Sequence, residues 1–277
     1  MIFWDVQHGN AAFLRTPSNK KIVFDLGSGS YSKGKSFSPL LHLKGKRKSF
    51  NLDYVFISHP HHDHFSDISN LQNLGTPKRV VLPKHIDKKQ IMNNVWDRHK
   101  GDFESYLALQ KTAIEPQKSF SLDGVKFRVF QSNPTAKSNM NNLSNVVVVE
   151  YDGYKIVLPG DNESASFKYL FETYPDFEKA ISNADILLAP HHGRQNGFHR
   201  DFVKTVNPNL TVISDGSKPS THARDRYSKV SSGLFVHNKS TKSNIKRYAL
   251  STQNDGYVLC KIGRGPAGRR FLKTQIG

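Results

Sequence analysis

Histidine and aspartate crowd one short stretch of this 277-residue chain, His59-Pro60-His61-His62-Asp63-His64. Imidazole nitrogens and carboxylate oxygens are the donors that zinc, manganese and iron accept. Four such donors in one loop cannot all reach a single ion comfortably. The spacing therefore points to two adjacent ions, with His59 and His61 on one and Asp63 and His64 on the other. His62 takes the free position of the H-x-H-x-D-H pattern and reads as an exposed or supporting imidazole. A purification tag sits at a terminus and carries no Asp. Here the apolar run Tyr54-Val55-Phe56-Ile57-Ser58, suited to a buried strand, feeds straight into the cluster, and a helix begins around Phe65 to Ile68.

Three later segments repeat that design. Val157-Leu158-Pro159-Gly160-Asp161 is a strand ending in Gly-Asp, whose single carboxylate can bridge two metals; read alone, Asp161 serves equally well as a helix N-cap. Asp185 to Ala189 is an apolar strand running into Pro190-His191-His192-Gly193. Thr211-Val212-Ile213 leads to Ser214-Asp215-Gly216-Ser217 and then Thr221-His222. Each cluster lies at the carboxyl end of a strand, where a layered α/β fold gathers its site residues.

The elements that must position these groups alternate along the chain. Strands are expected at 2–6, 11–15, 21–26, 79–82, 125–130, 145–151, 154–158, 185–189, 210–214, 233–237, 245–250 and 256–262. Residues 31–50, rich in Ser, Lys and Gly, read as a surface loop. Helical character runs over 86–113, with Trp96, Phe103, Tyr106, Leu107 and Leu109 as its apolar set, and helices are expected at 164–173, 199–206 and 223–231. Two strand-rich halves without a linker predict one domain over 1–277, with two sheets face to face and helices outside.

Forty Lys and Arg against 23 Asp and Glu leave a net charge of +17, which suits a polyanionic partner, nucleic acid being the commonest. Basic residues gather at Lys33, Lys35, Lys44, Lys46, Arg47 and Lys48, and again at Arg264, Arg269, Arg270 and Lys273. Tyr31, Phe37, Phe198 and Tyr227 are candidate stacking rings for single strands. No apolar run approaches the ~20 residues of a membrane helix. The immediate first strand leaves no room for a signal peptide, and the lone Cys260 has no intrachain partner, so a cytoplasmic protein with no membrane contact is expected.

The order of these motifs resembles the metallo-β-lactamase fold, and within it the soluble hydrolase domain of the DNA-uptake competence protein ComEC. Asp5-Val6-Gln7-His8-Gly9-Asn10 is similar to that group's opening D-V-G-Q-G-D, and Ile22 to Gly27 to its next strand ending in D-x-G. Asn142 to Val147 is similar to its N-x-S-x-V entry. Leu158 to Asp161, Pro190 to Gly193 and Thr221-His222 follow its later motifs, and Leu250 to Val258 its closing strand. His8 stands where the group has Gln, and Asn10 where it has Asp. Asn141 and Asn142 lie where many relatives place a third His, which makes manganese as plausible as zinc.

The resemblance implies an α/β architecture, an αββα sandwich of two mixed β-sheets flanked by helices. It implies His59 and His61 on a first ion, Asp63, His64 and His192 on a second, and Asp161 bridging. Two divalent ions, Zn or Mn, ~3.5–4 Å apart would share a hydroxide that attacks phosphorus. His191 or His222 would hydrogen-bond the phosphate or protonate the leaving oxygen, with Lys218 as a further phosphate contact. The expected activity is a metal-dependent phosphodiesterase on nucleic acid, with DNA favoured but the choice between DNA and RNA left open. The alternatives are a small-molecule hydrolase of a lactone, thioester or phosphorylcholine ester, and a non-catalytic nucleic-acid-binding module. A stand-alone enzyme and the effector of a larger defence or competence assembly both stay open.

Overall fold

A computed structural model describes residues 1–31, 35–46, 50–93, 95–115, 119–135, 138–216 and 222–277. In chain order the strands are β1 (Ile2–Phe3), β2 (Ala11–Arg15), β3 (Lys21–Leu26), β4 (Gly29–Ser30), β5 (Ser36–Phe37), β6 (Tyr54–Phe56), β7 (Arg79–Val81), β8 (Ser119–Leu122) and β9 (Val125–Gln131). They continue with β10 (Asn145–Tyr151), β11 (Tyr154–Leu158), β12 (Ile186–Leu188), β13 (Leu210–Ile213), β14 (Leu234–Asn238), β15 (Ser243–Arg247), β16 (Ala249–Ser251), β17 (Val258–Arg264) and β18 (Arg270–Ile276). The helices are α1 (Pro39–Lys44), α2 (Ile68–Leu74), α3 (Lys88–Met92), α4 (Lys100–Thr112), α5 (Ser164–Thr173), α6 (Phe177–Ile181), α7 (Arg200–Val206), α8 (Arg224–Val230) and α9 (Thr252–Asp255).

One sheet runs β15-β14-β18-β17-β1-β2-β3-β6-β7 and the other β16-β13-β12-β11-β10-β9-β8. Both are mixed: β3, β6 and β7 run parallel, as do β11, β12, β13 and β16, while the hairpins are antiparallel. Between the sheets lies an apolar layer drawn from both, including Phe24, Phe56, Phe127, Val149 and Ile156. A second layer, with Phe65, Ile68, Leu71 and Tyr106, seats α2 and α4 on the outer face of the first sheet. A third, with Phe167, Phe177, Phe202 and Tyr227, seats α5 to α8 on the second. The alternation of β9, buried at Val125, Phe127 and Val129 and open between, reflects one face turned to the inter-sheet layer. This is the αββα sandwich the sequence predicts. Among the described residues, no helix is long and apolar enough to cross a membrane.

Several local expectations differ. The first strand ends at Phe3 rather than Val6; Trp4 N–H still donates to the Ala11 carbonyl (3.1 Å) before the backbone turns at Gln7 (φ 59°). The 31–50 stretch, expected as a loop, contains β5 and α1 in its described part. Ser38 caps Leu41 and Pro39 opens the helix, a start signal present in the sequence. Trp96, expected in the apolar set, is 64% exposed, since it lies between α3 and α4 rather than on a packed face. Tyr227 is fully buried and no stacking platform. The expected strand at 245–250 divides into β15 and β16, which belong to different sheets. Strand β18 is absent from the sequence expectations; its Arg270-Phe-Leu-Lys-Thr-Gln-Ile sequence is edge-like in charge yet pairs along its whole length with β17. Lys33, Arg47, Lys48, Ser217, Lys218 and Thr221 lie outside the described residues.

Candidate metal centre

The four clusters meet at one end of the sandwich, because the parallel strands β6, β11, β12 and β13 deliver their carboxyl ends to the same edge. Asp25, at the end of β3, organises the first pair of imidazoles. Its carboxylate accepts from the Ser58 backbone N–H (2.7 Å), the Ser58 hydroxyl (3.0 Å) and Asn10 Nδ2 (2.8 Å), and it lies 2.8 Å from His64 Nδ1. The carboxylate fixes the proton of His64 on Nδ1 and turns Nε2 into the site. Ser58 spends its only proton on Asp25, so its oxygen accepts from His59 Nδ1, 3.1 Å away. That leaves the lone pair of His59 Nε2 pointing inward. This atom is buried and has no hydrogen-bond partner.

His191 and His192 occupy the left-handed region (φ 46° and 54°), a costly conformation for two consecutive non-glycine residues. The strain sends the neighbouring rings to different partners. His192 donates from Nδ1 to the Ser214 carbonyl (2.9 Å) and turns Nε2 toward Asp63 Oδ2 (3.1 Å), Asp161 Oδ2 (3.3 Å) and His64 Nε2 (3.3 Å). His191 lies apart, with Nδ1 3.1 Å from Glu163 Oε1, off the hydrogen-bond direction, and Nε2 3.4 Å from Asn141 Nδ2. His192, not His191, therefore stands among the carboxylates.

Asp161 is 4% exposed and its two oxygens face different partners: Oδ1 lies 3.2 Å from His64 Nε2, while Oδ2 lies 3.9 Å from His59 Nε2. Gly160 (φ +61°) leaves the space this needs, since a Cβ there would come within 2.8 Å of Ser144 Cβ and 2.9 Å of Ser58 Cβ. His61 stacks edge-on against His59 with ring centres 4.6 Å apart, but is absent from the tight groups His59–His64–Asp161 and His8–Asp63–His192, whose donor atoms all lie within 4.8 Å of one another. His62 turns away, with Nε2 2.8 Å from Asp102. His222 Nε2 lies 3.0 Å from Oδ2 of the buried Asp215.

The donor set fits divalent cations. Ligands about 2.1 Å from one ion at tetrahedral corners sit about 3.4 Å apart, and the separations among Asp63, His64, Asp161 and His192 run from 3.1 to 3.8 Å. Burial pulls His192 down, but Asp161 and Asp63 outweigh it and push it up to about 10. His64 is likewise raised against burial by Asp161, Asp25 and Asp63. Asp63 and Asp161 are held below the usual carboxylate range against burial, chiefly by His64 and His192. His59 is lowered by burial first and then by His64, so it stays neutral with its lone pair available.

Sequence reasoning left Asp25, Ser58, Glu163 and Asp215 without roles. Asp25 carried a signal in the D-x-G end of its strand, and Asp215 lay in one of the strand-end clusters; Ser58 and Glu163 carried none. The second basic set lies far from the site. Arg264 pairs with Asp152 in the β10–β11 turn and Arg270 donates to its carbonyl (3.3 Å), at the opposite end of the sheet from Asp161.

The description of the metallo-beta-lactamase superfamily matches residues 4–214. ComE operon protein 3 of Bacillus subtilis (strain 168) is 24% identical over 233 residues, covering 79% of this chain and 28% of that protein. The chain thus spans little more than a quarter of that relative's length. Among solved structures, CmlA, a diiron beta-hydroxylase from Streptomyces venezuelae, is similar with a TM-score of 0.48 at 14% identity, over 77% of this chain and 44% of that one. Human tRNase Z, short form, is similar with a TM-score of 0.46 at 15% identity, over 78% and 93%. The superfamily match takes in His59, His61, Asp63, His64, Asp161 and His192 and stops short of Asp215 and His222, and the chain belongs to the metallo-beta-lactamase superfamily of metal-dependent hydrolases.

Proposed function

We propose that the chain, as one hydrolase domain, is a metal-dependent phosphodiesterase acting on nucleic acid, with DNA favoured over RNA. His59, His61 and Asp161 would hold one divalent ion, and Asp63, His64, His192 and the shared Asp161 the other, zinc or manganese in either place. When bound, such ions supply Lewis-acid charge at the phosphate and acidify water. The chain's own residues do the rest. Asp25 and Ser58 fix the His64 and His59 tautomers, and the Ser214 carbonyl fixes that of His192. His222, held by Asp215, and His191, beside Glu163 and Asn141, are imidazoles outside the ligand set; they suit a hydrogen bond to the phosphate and proton delivery to the leaving oxygen.

The observation that carries the nucleic-acid reading is a groove of about 760 Å³ opening beside His61 in a chain of net charge +17. Its lining mixes apolar Ile91, Val95 and Phe103 with the amides of Gln90, Asn93 and Asn139, surfaces that suit a base face and a base edge. Lys88 and Lys89 of α3 lie alongside, and just beyond stands the exposed Trp96 with the Arg98 guanidinium 4.4 Å over its ring. A small neutral ester needs neither the length nor the charge.

Binding tests the substrate class without turnover. Metal-free protein titrated with fluorescent single- and double-stranded oligonucleotides should lose affinity by tenfold or more between about 50 and 200 mM salt. Salt-independent binding, or none, together with hydrolysis of p-nitrophenyl acetate but not of bis(p-nitrophenyl) phosphate, would move the chain to the small-ester class.

A further inference from the structure

The loop between β1 and β2 is built against the metal loop more tightly than a connection requires. Asn10 N–H donates to the Asp63 carbonyl (3.3 Å), and a Cβ on Gly9 would stand 2.6 Å from that same oxygen. Ser214, whose carbonyl holds His192, donates its hydroxyl to the Gly9 carbonyl (2.8 Å), and a Cβ on Gly216 would stand 2.9 Å from His8 N. The residue at the crown of this pinned loop is His8. Its Nε2 lies 3.6 Å from Asp63 Oδ2, and its ring centre lies 4.7 Å from that of His192. One donor atom from each of His8, Asp63 and His192 falls within 4.8 Å of the other two.

We propose that His8 is an additional ligand of the second ion, through Nε2, beside Asp63 and His192. The inference rests on the metal centre and not on the nucleic-acid reading. The 3.6 Å gap to Asp63 falls within the 3.1–3.8 Å range of the other donors around that position. Ligation by Nε2 requires the ring proton on Nδ1. Asp215 Oδ1, 3.6 Å from Nδ1, is the carboxylate oxygen that a small shift of the ring would bring within reach of that proton, and Asp215 is buried and fixed by the Gly216 N–H (2.7 Å). An Arg194 nitrogen lies 3.3 Å from the same Nδ1, so ligation through Nε2 requires the guanidinium to give way. With its side chain 46% exposed, His8 joins from the solvent side as an exchangeable ligand. The ligand is a borderline divalent cation such as Zn²⁺, Mn²⁺ or Fe²⁺. The second position then has two protein ligands more than the first, five against three, and fills first.

The test is a Co²⁺ titration of metal-free protein followed by visible absorption, with Zn²⁺ affinities from competition against a chromophoric chelator. Wild type is compared with His8→Ala and His8→Gln, and circular dichroism verifies that both variants fold. The proposal predicts that both variants weaken the tighter of two binding steps by about tenfold or more and leave the weaker step unchanged. It also predicts a stronger Co²⁺ band for the tighter step in the variants, as the coordination number falls. Wild-type spectra and affinities in both folded variants would overturn it and leave His8 a surface imidazole between Asp63 and Asp215. A wild type that binds no Co²⁺ would overturn the metal centre as well.

Discussion

Replacing Asp25 by Asn tests whether the centre is set by its supporting carboxylate as much as by its ligands. Asp25 is 4% exposed and takes four donors: the Ser58 N–H, the Ser58 hydroxyl, Asn10 Nδ2 and His64 Nδ1, all at 2.7 to 3.0 Å. Its backbone is left-handed (φ 57°), which Asn tolerates nearly as well as Asp, so the substitution adds little strain. The amide offers one acceptor oxygen, and its NH₂ must face donors. Hydrogen bonds to a charged group contribute about 1.5–3 kcal/mol and a stranded buried donor costs about 1–3 kcal/mol, so the loss should be about 2.5–6 kcal/mol. Part of that loss appears as metal affinity, because the His64 tautomer is no longer held; supporting carboxylates of this kind are worth about 10–100-fold. Urea melts of metal-free protein and chelator competition of metal-loaded protein separate the two parts. A folded Asp25→Asn protein with the wild-type urea midpoint and wild-type zinc affinity would refute the reasoning.

Gly27→Ala should lower the melting temperature and the metal affinity together, since its Cβ would stand 2.6 Å from the Asp63 carbonyl and 2.8 Å from that of Asn10, a clash of about 1–3 kcal/mol. Gly101→Ala, in α4 with nothing within 4 Å of the new Cβ, should instead stabilise by about 0.5–1 kcal/mol; equal melting temperatures for the two variants would contradict both assignments. Burial works to raise Asp53, yet the Lys21 backbone N–H and Lys78 outweigh it and hold the carboxyl below its usual range. Its contribution is complete above the unfolded value near about 3.9 and is lost as pH falls through the lower folded value, so the urea-midpoint gap between wild type and Asp53→Asn should narrow below about pH 4. A constant gap down to acid would show that the charge is not the cause. Cys260 is 1% exposed and burial pushes its thiol up to about 11, so thiol reagents at pH 8 should label it only after unfolding, and rapid labelling of native protein would contradict the packing.

The gathering of His and Asp at strand ends was legible in the sequence because these clusters follow short apolar runs that read as buried strands. Ile186-Leu-Leu before His191 and His192, and Ile156-Val-Leu before Asp161, announce both the strand and its carboxyl end. The choice between His191 and His192 was not legible, because it turns on two left-handed residues and the Ser214 carbonyl. Nor was the role of Ser58, an ordinary polar residue until Asp25 takes its proton. The two-sheet architecture followed from the strand count. The crossing of β14, β15, β17 and β18 into the sheet of β1 did not, because a strand's sequence records its faces and not its neighbours. The exposure of Trp96 escaped for a related reason: an apolar residue between short helices carries no period to show which way it faces.

The most direct test of the central claim is cleavage. Metal-free protein, supplied in turn with Mn²⁺, Zn²⁺ or Mg²⁺, is incubated with end-labelled single- and double-stranded DNA and RNA, beside Asp161→Ala treated identically. The account predicts phosphodiester cleavage that depends on added Mn²⁺ or Zn²⁺, favours DNA and disappears in the variant, because Asp161 presents one carboxylate oxygen toward His59 and the other toward His64. Metal-loaded wild-type protein that leaves all four substrates intact, or an Asp161→Ala protein that cuts as fast as wild type, would contradict it.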